Sequence, residues 1–200
     1  MFYTCNKKKI GVKYLRVIAG THRGRRLRSV KGDKTRPTAD RVKEALFNIL
    51  QNRIYNSRFL DLYSGTGSIA IEALSRGAGQ AVLVEEDKAA LKVIERNLAD
   101  LGLESQAVVL GREVAGALLF LGSKREQFDL IFLDPPYRDG KEEEVLSGLE
   151  DNELLAVGGM VIVEHQRKNN LPDRVGNFYK QRVAAYGDTA LAFYLKEEKD

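Results

Sequence analysis

A mainly parallel, doubly wound α/β sheet that finishes in an antiparallel hairpin is the architecture this sequence predicts. Three observations carry the prediction. Short apolar runs rich in β-branched residues, at 59–62, 81–84, 107–110, 128–133 and 160–163, alternate with stretches of helical period, the pattern of strands covered on both faces. Gly65 and Gly67 stand between the first run and a helical stretch, where the chain must turn closely from strand into helix. Near the carboxyl end, Gly187-Asp188 separates the extended stretches Tyr179–Ala185 and Leu191–Leu195, which reads as a hairpin.

Each element follows in order. Residues 1–13 are polar and lysine-rich and form an extension. Leu15–Ala19 is a strand, Gly20–Gly24 a turn, and Arg25–Val30 a return strand. This hairpin carries His22, Arg23, Arg25, Arg26 and Arg28; guanidinium groups at that density suit phosphate contact. Thr38 can cap a helix running to about Asn52, with Asp40 in its favourable first turn. Val42, Ala45, Leu46, Ile49 and Leu50 make its apolar face, leaving Arg41, Lys43 and Glu44 on the surface. The glycine-loop helix begins near Ile69 and ends at Gly77 and Gly79. The next strand closes on Glu85 and Glu86. Asp87 then caps a helix striped by Leu91, Ile94, Leu98 and Leu101, and Gly102 stops it. Arg112 and Glu113 follow the third run and open a helix to about Leu121. A helix over 142–155 leads to the strand Met160–Glu164.

Two hundred residues suit one domain with a sizeable core. Within it, residues 1–53 read as a basic extension, a hairpin plus a helix, and 54–200 as the main domain. No apolar run approaches the roughly 20 residues of a membrane span, and the start lacks the apolar core of a secretory signal. The single cysteine, Cys5, excludes an internal disulfide and any cysteine-based metal cluster. A cytoplasmic monomer without metal is the expectation. The charge is uneven. Residues 1–58 hold 16 Lys and Arg against three acidic residues, whereas the remainder holds 16 against 25. A basic arm on an acidic body suggests a polyanionic partner.

The chemistry centres on Phe128–Tyr137. An apolar strand ends abruptly in Asp134-Pro135-Pro136-Tyr137, because proline cannot donate to a ladder. A carboxylate, rigid carbonyls and a ring are thus displayed at a strand's carboxyl end, where open α/β sheets bind ligands. Asp134 and the Pro135 carbonyl can accept the N–H bonds of a planar exocyclic amine while Tyr137 stacks on its ring.

The cofactor outline lies earlier in the chain. Gly65 and Gly67 permit close backbone approach, and Glu85 ends the next strand where ribose hydroxyls would lie. The spacing of Gly65, Gly67 and Ala70 also matches a loose dinucleotide fingerprint. Asp61 argues against that reading, because its carboxylate would repel a pyrophosphate but suits an ammonium group. S-adenosylmethionine has an α-ammonium, a ribose and an adenine, and no phosphate. Arg112 and Glu113 could reach its adenine edge.

Several blocks of this chain resemble the RsmD family: residues 16–20, 23–25, 36–48, 61–67 and 134–137. The resemblance covers roughly Leu15 to Leu195. It implies a Rossmann-like class I methyltransferase that uses S-adenosylmethionine to modify the exocyclic N2 of a guanine in small-subunit ribosomal RNA. It further implies that Arg36, Pro37, Thr38 and Arg41 border the active site and help close over cofactor or RNA, and that the Ser64 and Thr66 hydroxyls either lie near the cofactor or cap the loop. The Asp-Pro-Pro-Tyr motif is shared with adenine-N6 methyltransferases and does not choose the base. A non-catalytic RNA-binding or ribosome-assembly protein on the same fold is the rival from another class.

If the Tyr137 ring stacks on the target base, the aromatic face counts and the hydroxyl does not. Stacking contributes about 1–3 kcal/mol by alanine substitution. Tyr137→Phe should keep most activity and Tyr137→Ala should lose roughly five- to two-hundredfold in single-turnover methylation. Equal failure of both variants would instead assign the role to the hydroxyl.

Overall fold

A computed structural model describes residues 15–30, 37–135 and 141–197, with the side chains of 37–39 left aside. The strands are β1 (Arg58–Leu62), β2 (Gln80–Glu85), β3 (Ala107–Gly111), β4 (Phe128–Leu133), β5 (Leu155–Gln166), β6 (Arg174–Val175), β7 (Phe178–Tyr186) and β8 (Thr189–Lys196). They form one sheet in the order β3-β2-β1-β4-β5-β8-β7-β6. Pairing is parallel from β3 through β5 and antiparallel from β5 through β8 to β6. The helices are α1 (Pro37–Leu50), α2 (Ser68–Ser75), α3 (Lys88–Leu101), α4 (Val114–Ser123) and α5 (Glu142–Asp151).

Two cores sandwich the sheet. On one face Val42, Leu46, Phe47 and Leu50 of α1, Ile71 of α2, and Ile94 and Leu98 of α3 cover Phe59, Leu83, Phe132 and Ile162. On the other, Val114, Leu118 and Leu121 of α4 and Val145, Leu146 and Leu149 of α5 cover Leu62, Val84, Ile131 and Val163. Neighbouring residues of one strand therefore serve opposite cores, which accounts for runs that are apolar throughout. Helix α3 is bounded as the sequence reads. The Asp87 side chain accepts from the Ala89 and Ala90 amides, and Gly102 adopts the left-handed C-terminal conformation.

Three expectations need correction. The first hairpin is not a pair of regular strands: a single bridge joins Arg16 to Arg26, because the amides of Ile18, Ala19, Thr21 and His22 go to α2 instead of across the hairpin. The last long helix stops at Asp151, and β5 begins at Leu155, which pairs with Phe128 and is buried. Lys43 is not on the surface; its side chain is 3% exposed.

Lys43 is buried because Glu72 of α2 is buried. The Glu72 carboxylate accepts from the Ile18 amide at 2.7 Å, the Ala19 amide at 2.9 Å and Arg76 Nε at 2.8 Å. Lys43 Nζ lies 3.7 Å from the same carboxylate and donates to the Arg16 carbonyl at 2.9 Å. Burial pulls the Lys43 pKa down, with Glu72 opposing. The hairpin, α1 and α2 thus meet on one carboxylate. Val17 and Leu27 of the hairpin also join the core that holds Phe59 and Ile71. Removing one partner from a buried charge network costs about 3–5 kcal/mol. Glu72→Ala should lower the unfolding free energy by about that much in urea titration, and Glu72→Gln by less.

Candidate active site

The carboxyl ends of β1, β2 and β4 converge on one cleft of about 1040 Å³, lined among others by Tyr63, Glu85, Arg112, Glu113, Asp134 and Pro135. Tyr63, which opens the loop 63–67, lines it. Tyr63, Gly65 and Gly67 all have positive φ, at 63°, 55° and 76°. A Cβ on Gly65 would meet nothing within 4 Å, whereas one on Gly67 would lie 3.1 Å from Leu83. Gly65 therefore has open space beside its backbone, and Gly67 lets α2 start close to the sheet. The Ser64 hydroxyl donates to the Asp61 carbonyl at 2.8 Å, so it closes the loop.

Glu85 organises that loop. Its Oε2 accepts from the Gly65 amide at 2.8 Å, and its Oε1 accepts from the Glu86 and Asp87 amides, each at 2.9 Å. One lone pair on Oε2 remains for a ligand. Asp61, 1% exposed, accepts from the Ala70 amide at 3.2 Å. Burial raises its pKa to about 7, the Ala70 amide opposes, and Glu85 adds to the rise. A buried carboxylate that resists ionising is suited to a cation, whose arrival lowers that pKa again. Asp134 is raised well above the ordinary carboxylate value, first by burial, then by the charges of Glu164 and Asp61. Pro135 is buried beside it. The Arg112 guanidinium lies 4.1 Å from the centre of the Phe120 ring, and both Arg112 and Glu113 line the cleft.

The basic hairpin is placed elsewhere. Thr21 donates its amide to the Ser75 carbonyl at 2.8 Å, and His22 donates its amide to Ser75 Oγ at 3.0 Å, at the end of α2. His22 Nε2 lies 3.1 Å from the Leu101 carbonyl, Arg25 donates to the Asp100 carbonyl and Arg28 pairs with the Asp100 carboxylate, both at 2.8 Å, at the end of α3. Helix carboxyl ends attract cations. In βα units these ends lie at the amino-terminal edge of the sheet, so the turn sits opposite the cleft. Arg23, Arg26 and Arg41 are exposed. The return segment climbs back towards the glycine loop, where buried Asn97 donates to both the Arg28 and Thr66 carbonyls. Asn97 was not anticipated as part of the site. Its signal is a polar residue three positions after Ile94, inside the buried stripe of α3. Arg36, Pro136 and Tyr137 lie outside the described residues, as does the Thr38 side chain.

A family model described as conserved hypothetical protein 95 matches residues 15–195. The chain belongs to the RsmD family. A family relative from Escherichia coli strain K12, ribosomal RNA small subunit methyltransferase D, is 37% identical over 187 residues, covering 94% of this chain and 92% of its own. The solved structure of yhhF from Escherichia coli superposes with a TM-score of 0.81 at 35% identity, covering 94% of this chain and all of that one. Beyond the family, the solved complex of SMU.776 with SAH shares the fold, with a TM-score of 0.62 at 14% identity over 76% of this chain and 49% of that one. The sheet is that of the class I methyltransferases.

The titration of Asp61 has a defined sign. Its folded pKa of about 7 lies above the ordinary 3.8. The folded chain then keeps a proton that the unfolded chain releases earlier, so stability is full below the lower value and falls as pH rises through about 7. Asp61→Asn should flatten that fall in urea titrations across this range. An unchanged profile would mean that Asp61 is ionised throughout.

Proposed function

We propose that this protein transfers a methyl group from S-adenosylmethionine to the exocyclic N2 amine of a guanine in small-subunit ribosomal RNA. The single observation that carries the reading is the grouping of Asp61, the glycine loop, Glu85 and Asp134-Pro135 where β1, β2 and β4 end side by side: Glu85 holds the Gly65 amide, Asp61 holds the Ala70 amide, and the charge of Asp61 raises Asp134. It is supported by the name of the 37% identical relative. The donor set fits the cofactor. Asp61 suits its ammonium, the remaining Glu85 lone pair suits a ribose hydroxyl, and Arg112 and Glu113 suit the adenine edge. A pyrophosphate would meet carboxylates instead. The SAH bound to SMU.776, a protein of the same fold, agrees with this choice.

When bound, the cofactor supplies a methyl group on a sulfonium, which leaves as a neutral thioether. The protein then has to align and to stabilise charge. Asp134 and the Pro135 carbonyl would accept the amine's N–H bonds, turning its lone pair towards the methyl. They would hold the positive charge that develops on nitrogen. Asp134, with its raised pKa, is the candidate to receive the proton. Tyr137 would stack on the base, which must leave its own stack to arrive. Ser64 and Thr66 would line the cofactor loop, and Thr38 would close over it. His22, Arg23, Arg25, Arg26, Arg28, Arg36 and Arg41 would contact RNA phosphates. Arg25 and Arg28 would do so from side chains already braced on α3.

The test is incubation with labelled S-adenosylmethionine and small ribosomal subunits lacking the modification, followed by nucleoside identification. The expected product is N2-methylguanosine. N6-methyladenosine would redirect the reading to the adenine alternative, and cofactor binding without product would overturn methyl transfer. Glu85→Ala should weaken cofactor affinity about ten- to hundredfold in calorimetry, the range for a hydrogen bond to a charged acceptor.

A further inference from the structure

We infer that Glu164 selects guanine, accepting its N1–H beside the amine that Asp134 holds; the inference rests on the guanine-N2 reading above. Strands β4 and β5 pair in parallel with Leu133 against Val163. The next residue of each, Asp134 just past the end of β4 and Glu164 within β5, therefore comes level on adjacent strands, about 4.8 Å apart across the ladder. Leu133 and Val163 both pack against α4 and α5. Alternation turns the following side chains to the opposite face, where Phe132, Ile162 and Leu191, the β8 partner of Glu164, lie. Asp61, between Leu60 and Leu62 of the α4–α5 face, shares that side on neighbouring β1. Glu164 is half-buried. The two carboxylates also sense each other, since Glu164 is the leading charge that raises Asp134.

Two adjacent acceptor-only groups complement a ligand that presents a row of donors. The Watson–Crick edge of guanine is such a row, with N1–H beside the N2 amine. Adenine and cytosine each place a ring lone pair beside their amine, and a carboxylate there would face it unpaired. Asp134 and the Pro135 carbonyl can accept from any exocyclic amine, so they cannot choose the base; a second carboxylate alongside can. A site built to bond a ligand N–H rejects the analogue that lacks it.

The experiment uses subunits reconstituted with ribosomal RNA bearing either guanine or 2-aminopurine at the nucleotide that the wild-type protein methylates. 2-Aminopurine keeps the 2-amine and replaces N1–H with a lone pair. Wild type should methylate it roughly ten- to hundredfold more slowly than guanine. Glu164→Gln, whose amide can donate to that lone pair, should narrow or invert the preference, with cofactor affinity by calorimetry unchanged. N2-methylguanosine formed with the same guanine to 2-aminopurine ratio by both proteins overturns the role of Glu164 and leaves the guanine-N2 reading standing. Should Glu164→Gln fail to fold, the wild-type ratio decides, and equal rates on the two bases overturn the role. No N2-methylguanosine from wild type brings down the underlying reading and this inference with it.

Discussion

The buried carboxylate of Glu72 is the contact on which the rest of the structure depends. A charge 0% exposed would be untenable alone, and it is tenable here because two backbone amides and two cations from three different segments surround it. Those segments are the hairpin, α1 and α2. Their convergence sets α1 against the sheet and leaves α2 free to begin at Gly67, which in turn positions the loop that Glu85 holds. The amino-terminal segment is therefore part of the scaffold that presents the cleft. The same network explains why its apolar residues share a core with the main sheet.

Acidic groups gather at the opposite end of that scaffold. Asp61, Glu85 and Asp134 stand at or next to the ends of β1, β2 and β4, and Glu164 lies within β5 beside Asp134. Glu85 is stabilised by three amides, while Asp61 and Asp134 are left with raised pKa values. The asymmetry separates a carboxylate that shapes the loop from carboxylates that await a cation or a row of donors. Perturbed groups of that kind, in a cleft, are the physical mark of a working site.

Much of this was legible in the sequence, and the exceptions share a cause. Strands covered on both faces announce themselves as apolar runs, and Asp87 and Gly102 mark the ends of α3 by local chemistry that needs no tertiary knowledge. The positions of Asp61, Glu85 and Asp134 at or next to strand ends were readable because each apolar run stops at a carboxylate or a proline. Lys43 was misplaced because its burial depends on Glu72, 29 positions away in the sequence, and no local pattern records that pairing. The hairpin was expected as regular strands for the same reason: the amides of Ile18, Ala19 and His22 are drawn to Glu72 and Ser75, which leaves only a short ladder across it. Asn97 looks like an ordinary helix residue until the return segment and the glycine loop are both seen to rest on it.

Gly20 illustrates how far the cleft's dependencies reach. It sits at φ 82°, and a Cβ there would fall 1.7 Å from the Ser75 carbonyl oxygen. The obstacle is backbone, so no rotamer change relieves it, and the turn could stay on α2 only if the residue remained glycine. Any side chain at this position would pry the turn from the helix end and strain the amides of Ile18 and Ala19 on Glu72. A genetic screen for loss of function would thus find an indispensable position at the far edge of the sheet. Nothing about its distance from the cleft would betray the reason.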